Sequence, residues 1–372
     1  MTPHRDLIVN ALLTPEIVRE LSAQKWDLLI RQGRRTNLLA RLANVLTQQG
    51  LLENVPIATR HHLTSAVLVA ERQSIALRWE VECIRRALAY AGIKPILLKG
   101  AAYVMAGLEA ARGRTFSDVD IIVPKKLLGE TESALMIHGW QGSHHDKYDQ
   151  RYYRRWMHEI PPMRHVKRGT TIDVHHTILP ETARLTVNPA ALLAAIVPVK
   201  DFADLYVLQP TDMLLHSATH LFHEGDFESS LRDLFDLDCL FRQFSALPDF
   251  SETLALRAAT LGLSRPLYYA VRYTTLILDT PVPEVVRSEA SLGKPSALIS
   301  WVMDICYLNA LRPVHSSTNS FSAWLARFAL YIRSHWIRMP FPLLAYHLGR
   351  KAFIRPKSYD IEKSVADADL KA

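Results

Sequence analysis

Asp118 and Asp120 are spaced for work on phosphate. They stand at the mouth of an apolar run, Ser117-Asp118-Val119-Asp120-Ile121-Ile122-Val123. Val and Ile are stiff at χ1 and favour a pleated backbone, so the run predicts a strand. Side chains on a strand alternate, which puts both carboxylates on one face. Like charges side by side repel unless a cation lies between them. Hard oxygen ligands suit Mg²⁺, or Mn²⁺ in its place, and Mg²⁺ commonly also holds substrate phosphates. The pair therefore predicts phosphoryl or nucleotidyl transfer.

Two neighbouring segments strengthen that reading. Pro95-Ile96-Leu97-Leu98 reads as a short buried strand, and Lys99-Gly100 turns it into a helix that starts near Ala101. A helix start is a natural place for phosphate. Further on, Thr171-Ile172-Asp173-Val174-His175 reads as another strand, with Asp173 and His175 on one face. Two-metal nucleotidyl transfer uses carboxylates from neighbouring strands. Asp118, Asp120 and Asp173 are thus the expected catalytic and metal-binding set. Each residue also has a plainer reading. Acids commonly alternate on surface strands, Lys99 could simply end a strand, Arg114 could pair with Asp118, and Asp173 could cap a turn.

Taken together, strand–Lys99-Gly100–helix, Arg114-x-x-Ser117-Asp118-x-Asp120 and Ile172-Asp173-x-His175 resemble a family of uncharacterised bacterial nucleotidyltransferases. That family belongs to the polymerase-β-like superfamily. The resemblance covers most of the chain, including the region Trp336-Ile337-Arg338-Met339-Pro340. It implies that Asp118 and Asp120 ligate both metals, and that Asp173 completes the catalytic metal site and helps activate the acceptor. It further implies that Gly100 lets a triphosphate approach the backbone, that Lys99 and Arg114 contact phosphate, and that Ser117 is a supporting donor. The implied substrate is an NTP, with ATP the default. The wider superfamily usually carries Gly-Ser at the loop, whereas Gly100 is followed here by Ala101. The phosphate grip then falls to Lys99 or to backbone N–H groups. A catalytically degenerate module of the same fold, which binds nucleotide or bridges partners, is the alternative.

The elements that must position these residues form an α+β fold. It has a small mixed β-sheet nucleotidyltransferase core between an N-terminal helical region and a helical C-terminal domain. Expected boundaries within the 372 residues are 1–92, 93–180, 181–357 and a tail at 358–372. The first region has apolar spacing near the helical period, and its last helix, about Glu71 to Ala91, closes at Gly92. Strands are expected near 150–154 and 162–166, and the chain after Pro180 reads as mostly helical. No GxxxxGK[ST] and no GxGxxG follows a strand, which argues against P-loop and Rossmann sites.

His216, His220 and His223 fall on one helical face. An HxxxH pair can bind zinc, but no Cys stands nearby and the Glu of HExxH is absent. A buried or pocket-lining polar face is expected, with partners from Arg232, Asp233 and Asp236. His144, His145, His158, His165 and His176 are scattered around the core and receive no metal role, while His175 is expected to orient or support the site.

The three cysteines, Cys83, Cys239 and Cys306, are far apart and form no CxxC, so a reducing cytoplasm is expected. No signal-peptide pattern and no transmembrane stretch is read. The formal charge of +7 is concentrated between Trp324 and Lys357, where Arg327, Arg333, Arg338, Arg350, Lys351, Arg355 and Lys357 occur with no acid. That segment could meet an anionic partner or a membrane surface, or present a solvated basic face. Pro340 and Pro342 interrupt any single long helix there. The balanced core favours a small molecule, or a peptide or glycan intermediate, as acceptor. RNA and protein acceptors stay open, because the superfamily has toxin-like members.

Overall fold

The computed structural model describes residues 5–142 and 156–340. Ile96–Leu97 (β1) and Asp118–Ile122 (β2) form the strands expected of their apolar runs. Trp140–Gly142 (β3), Met163–His165 (β4) and Thr171–His175 (β5) follow. Ile196–Pro198 (β6) and Tyr206–Leu208 (β7) complete a seven-stranded sheet in the order β3-β4-β5-β2-β1-β7-β6. The expected strand near residues 150–154 lies outside the described residues.

The sheet is mixed, and the fold is α+β. β2 runs parallel to β5, with Asp118 opposite Thr171, Asp120 opposite Asp173 and Ile122 opposite His175. β1 is antiparallel to β2 and parallel to β7. One face of the β2–β5 pair carries Val119, Ile121, Ile172 and Val174, all buried. Each such side chain contributes about 1.5–3 kcal/mol by leaving water. That apolar face is what holds the opposite, acid-bearing face rigid. β6 and β7 lie beyond Pro180, where the sequence reads as helical, so the sheet draws on the chain as far as Leu208. Pro198 sits on the edge strand, the place where a residue without an N–H is tolerated.

Helices surround this sheet. The predicted helix ending near Ala91 is the last part of a single long helix, Ile57–Ala89, packed against β2. On the C-terminal side, Pro210–His223 is almost wholly buried against Ser230–Phe244, Phe250–Thr260 and Ser264–Leu278. Pro210 starts it, as a proline in a first turn should. Its Ser217 hydroxyl meets the Tyr103 hydroxyl of Lys99–Met105, which ties the helical part to the sheet. Leu311 to Ser320 forms the loop before the final described helix, Phe321–Arg338. Among the described residues, no helix is long and apolar enough to cross a membrane.

Candidate active site

β2 delivers its two aspartates to a cleft of about 240 Å³ between the sheet and the C-terminal helices. Lys99, Gly100, Arg114, Ser117, Asp118 and Asp120 all line it, so six of the seven expected site residues share one cleft. Across from them, Pro210–His223 and the start of Ser230–Phe244 contribute Ser217, His220, Arg232 and Asp233, with Glu224 and Asp226 between the two helices. Asp173 stands one strand over from the lining, in register with Asp120. Partners in parallel register project to one side, so the three aspartates share a face.

Lys99 reaches this site through an unusual backbone. Its φ of +45° is left-handed, a region that costs a non-glycine residue roughly 1–2 kcal/mol. The neighbouring Leu98 N–H donates to the Asp120 carbonyl at 3.0 Å, which fixes the loop against β2. The Lys99 ammonium then donates to Asp120 Oδ1 at 3.2 Å. Burial works against its charge, but Asp120, Glu224 and Asp118 hold its pKa above the ordinary lysine value.

Asp120 Oδ1 has a second partner, His175 Nε2, at 3.0 Å. The other ring nitrogen of His175, Nδ1, lies 3.3 Å from Glu159 Oε2. A row Lys99–Asp120–His175–Glu159 therefore crosses the floor of the site. Burial alone would raise the Asp120 pKa, yet Lys99 and His175 keep it far below the usual carboxylate range. Burial also opposes charge on His175, and its hydrogen bond to Asp120 together with Glu159 overcomes that. The orienting role expected of His175 has a physical form here, its Nε2 held against Asp120. Glu159 carries no signal in the sequence, because it lies in a polar, aromatic stretch without clear periodicity. Its isolated bridge to His175 brings it to the site.

The other two aspartates are less satisfied. Asp118, at the open rim, accepts from the Ser117 hydroxyl at 3.1 Å. Partial desolvation and the Asp120 charge push its pKa up. Asp173 is pushed up to about 7, first by burial, then by Asp120 and Glu159. Its Oδ1 is buried with no hydrogen-bond partner. A carboxylate oxygen left in that state is costly, and a cation is what would complete it. Acceptor-only oxygens on one face, one of them orphaned, fit a hard divalent ion.

Arg114 lines the cleft, but its partner is Asp236, not Asp118. Nε donates to Asp236 Oδ2 at 2.8 Å, while Arg41 Nη2 donates to Asp236 Oδ1 at 2.7 Å. Both arginines and Asp236 are buried. Gly100 is packed beneath this cluster. A Cβ there would come 2.4 Å from Arg114 Nη1 and 2.9 Å from Phe116 Cδ1. The glycine thus admits the guanidinium against the loop backbone. Asp236 lies within the Arg232–Asp236 stretch that the sequence offered as partners for histidines, and it serves an arginine instead.

The three helical histidines border one small void beside the site, together with His158 and His175. His220 lines the cleft, with Nε2 3.0 Å from Glu224 Oε2. Glu224 is drawn well below its ordinary value by His220 and Lys99 despite burial. The spacing of four from His220 to Glu224 was the available signal for that pair. His216 is buried and held well below its ordinary pKa by desolvation and by Lys99. His223 is pushed down to about 3 by burial and by Arg333 and Arg338. His144 and His145 lie outside the described residues.

The chain belongs to a family of uncharacterised nucleotidyltransferases, which its residues 22–279 match. That span runs from the N-terminal helices through the sheet and into the helices across the cleft. No curated protein and no solved structure matches the chain.

Proposed function

We propose that this protein transfers a nucleoside monophosphate from an NTP, ATP by default, to a hydroxyl or other nucleophile on an acceptor. Asp118, Asp120 and Asp173 would hold the Mg²⁺ or Mn²⁺ ions. The observation that carries this reading is the set of three aspartates on one face of β2 and β5, Asp120 in register with Asp173, whose orphaned oxygen lies among them. The bound cation would polarise the α-phosphate and make the acceptor hydroxyl more acidic. Lys99 supplies positive charge beside the carboxylates, and Arg114 and Arg232 add more from the cleft walls. Asp173 would complete the metal site and help activate the acceptor. His175 keeps Asp120 in one rotamer while this happens.

The far wall mixes Arg232 and His220 with Glu224, Asp226 and Asp233. Mixed signs at close range suit a small polar acceptor, or a peptide or glycan intermediate, better than an RNA backbone. Phe321–Arg338 exposes Phe321, Trp324, Phe328 and Trp336, whereas its Arg333 and Arg338 donate inward to the Phe222 and His223 carbonyls, so this helix offers an apolar face that suits a membrane surface. The test is pyrophosphate release, with label transfer from α-labelled ATP, in Mg²⁺. Wild type should turn over and Asp118→Ala with Asp120→Ala should not. Equal activity in both would defeat the reading.

One observation favours a second reading, a nucleotide-binding module without turnover. The Lys99 ammonium already neutralises Asp120, the central ligand. Metal-dependent ATP binding without pyrophosphate release on any acceptor would select it.

A further inference from the structure

His158, Glu159 and His175 each bring one ligand atom to a point where all three lie within 4.8 Å of one another. Sequence spacing hides this group. His158 and Glu159 come from the chain before β4, and His175 ends β5. The main chain holds the two segments together: His176 N donates to His158 O at 2.9 Å, and Ile160 N donates to Val174 O at 3.0 Å. The His158 and His175 rings lie with centroids 5.2 Å apart.

The hydrogen bonding leaves this group incomplete. His175 Nε2 faces an Asp120 carboxylate that can only accept, so Nε2 carries the proton. In neutral His175 the remaining nitrogen, Nδ1, then has a lone pair, and it faces Glu159 Oε2 at 3.3 Å. Two lone pairs cannot face each other at that distance without a proton or a cation to share. His158 adds a further deficit, because its Nδ1 is buried with no hydrogen-bond partner.

We propose that His158, Glu159 and His175 form a second cation site for a borderline ion of the Zn²⁺ class, distinct from the three aspartates. Two imidazoles and one carboxylate with an open position are a common zinc donor set. Imidazole selects Zn²⁺ over Mg²⁺, whereas the all-oxygen aspartate face prefers the reverse. The orienting partner is present too. A metal-bound histidine usually donates its other N–H to a carboxylate, and for His175 that carboxylate is Asp120. The ion would lock the His175 tautomer and so fix the rotamer of Asp120.

The test is metal binding to the full chain, stripped with chelator and dialysed against Zn²⁺ in excess Mg²⁺. One Zn²⁺ per chain should be retained. His158→Ala and Glu159→Gln should each weaken binding at least tenfold, while Asp173→Asn should leave it unchanged. Co²⁺ in the same site should give visible d–d absorption that His158→Ala abolishes, and circular dichroism checks that the variants are folded. No retained Zn²⁺ on folded wild type would overturn the proposal, and so would equal retention by folded His158→Ala. In either case a doubly protonated His175 bridges the two carboxylates. Since the readout is binding, it stands apart from whether ATP is turned over.

Discussion

Asp120 and Asp173 lie opposite each other in parallel register, yet one has two hydrogen-bond donors and the other has a buried oxygen with none. The difference comes from neighbours, not from the strand pattern. Asp120 is reached by Lys99 from one side and by His175 from the other. Asp173 is surrounded by acids.

Replacing Asp120 with alanine should therefore damage the fold as well as the chemistry. It leaves half-buried Lys99 and buried His175 without their shared acceptor, a loss of about 3–5 kcal/mol for a broken buried pair. Asp118→Ala, at the exposed rim, should cost about 0.5 kcal/mol or less. Both should abolish nucleotidyl transfer. Urea unfolding run beside a pyrophosphate assay separates the two effects, and equal stability losses would contradict the assigned partners.

Asp173→Asn should stabilise the protein at neutral pH while removing activity. The unfolded carboxyl titrates near 3.9, and the folded one is raised to about 7. Between those values the native state binds the extra proton, so this group makes stability fall as pH rises through that window. Asparagine removes that slope. Its advantage should be absent near pH 4, grow towards pH 7, and reach on the order of 4 kcal/mol, about three pKa steps at roughly 1.4 kcal/mol each. Melting curves across the window, without divalent ions, measure it; a constant difference would be the contrary result.

The same raised carboxyl sets a pH dependence for metal. A divalent ion needs the ionised form. Half-saturating Mg²⁺ should rise as pH drops below about 7, approaching tenfold per unit if this one proton is displaced. Mg²⁺ titrations of turnover at several pH values read this out, and a flat response from pH 5 to 8 would count against Asp173 as a ligand.

Lys99 offers a test of backbone strain. Lys99→Ala and Lys99→Gly both remove the ammonium, but only glycine is at ease at φ of +45°. Lys99→Gly should be more stable than Lys99→Ala by about 1 kcal/mol, with activity equally low in both. Lower stability for the glycine variant would show the left-handed turn to be unstrained.

Gly100→Ala should cost about 1–3 kcal/mol, since the new methyl meets a guanidinium that cannot easily retreat. Arg114 is fastened to Asp236 at 2.8 Å. A compensating Arg114→Ala in the Gly100→Ala background should show non-additive stability, because both changes act on one contact.

Much of this site was legible in the chain. Asp118, Asp120 and Asp173 announce themselves because β-branched neighbours force a strand and the strand forces a common face. Lys99 and Gly100 stand out at a strand-to-helix junction. The partners were not legible. Glu159 reaches His175 through a single isolated bridge, and Asp236 reaches Arg114 and Arg41 across long stretches of sequence; local periodicity carries no trace of either. β6 and β7 were missed because three-residue strands are too short to display an alternation, and β1, which β7 joins, is shorter still. The long first-region helix was cut short because its exposed and buried positions blur over so many turns.

The carboxylate of Asp236 is shared between Arg114 in the cleft and Arg41 on the helix Leu39–Gln48. That arrangement makes the opening helices part of the machinery rather than a detachable preface. A shortened version starting at residue 93 would keep Asp118, Asp120 and Asp173, yet it would lose Arg41, which shares Asp236 with the arginine of the cleft. Anyone trimming this chain for crystals, fusions or screening should cut elsewhere.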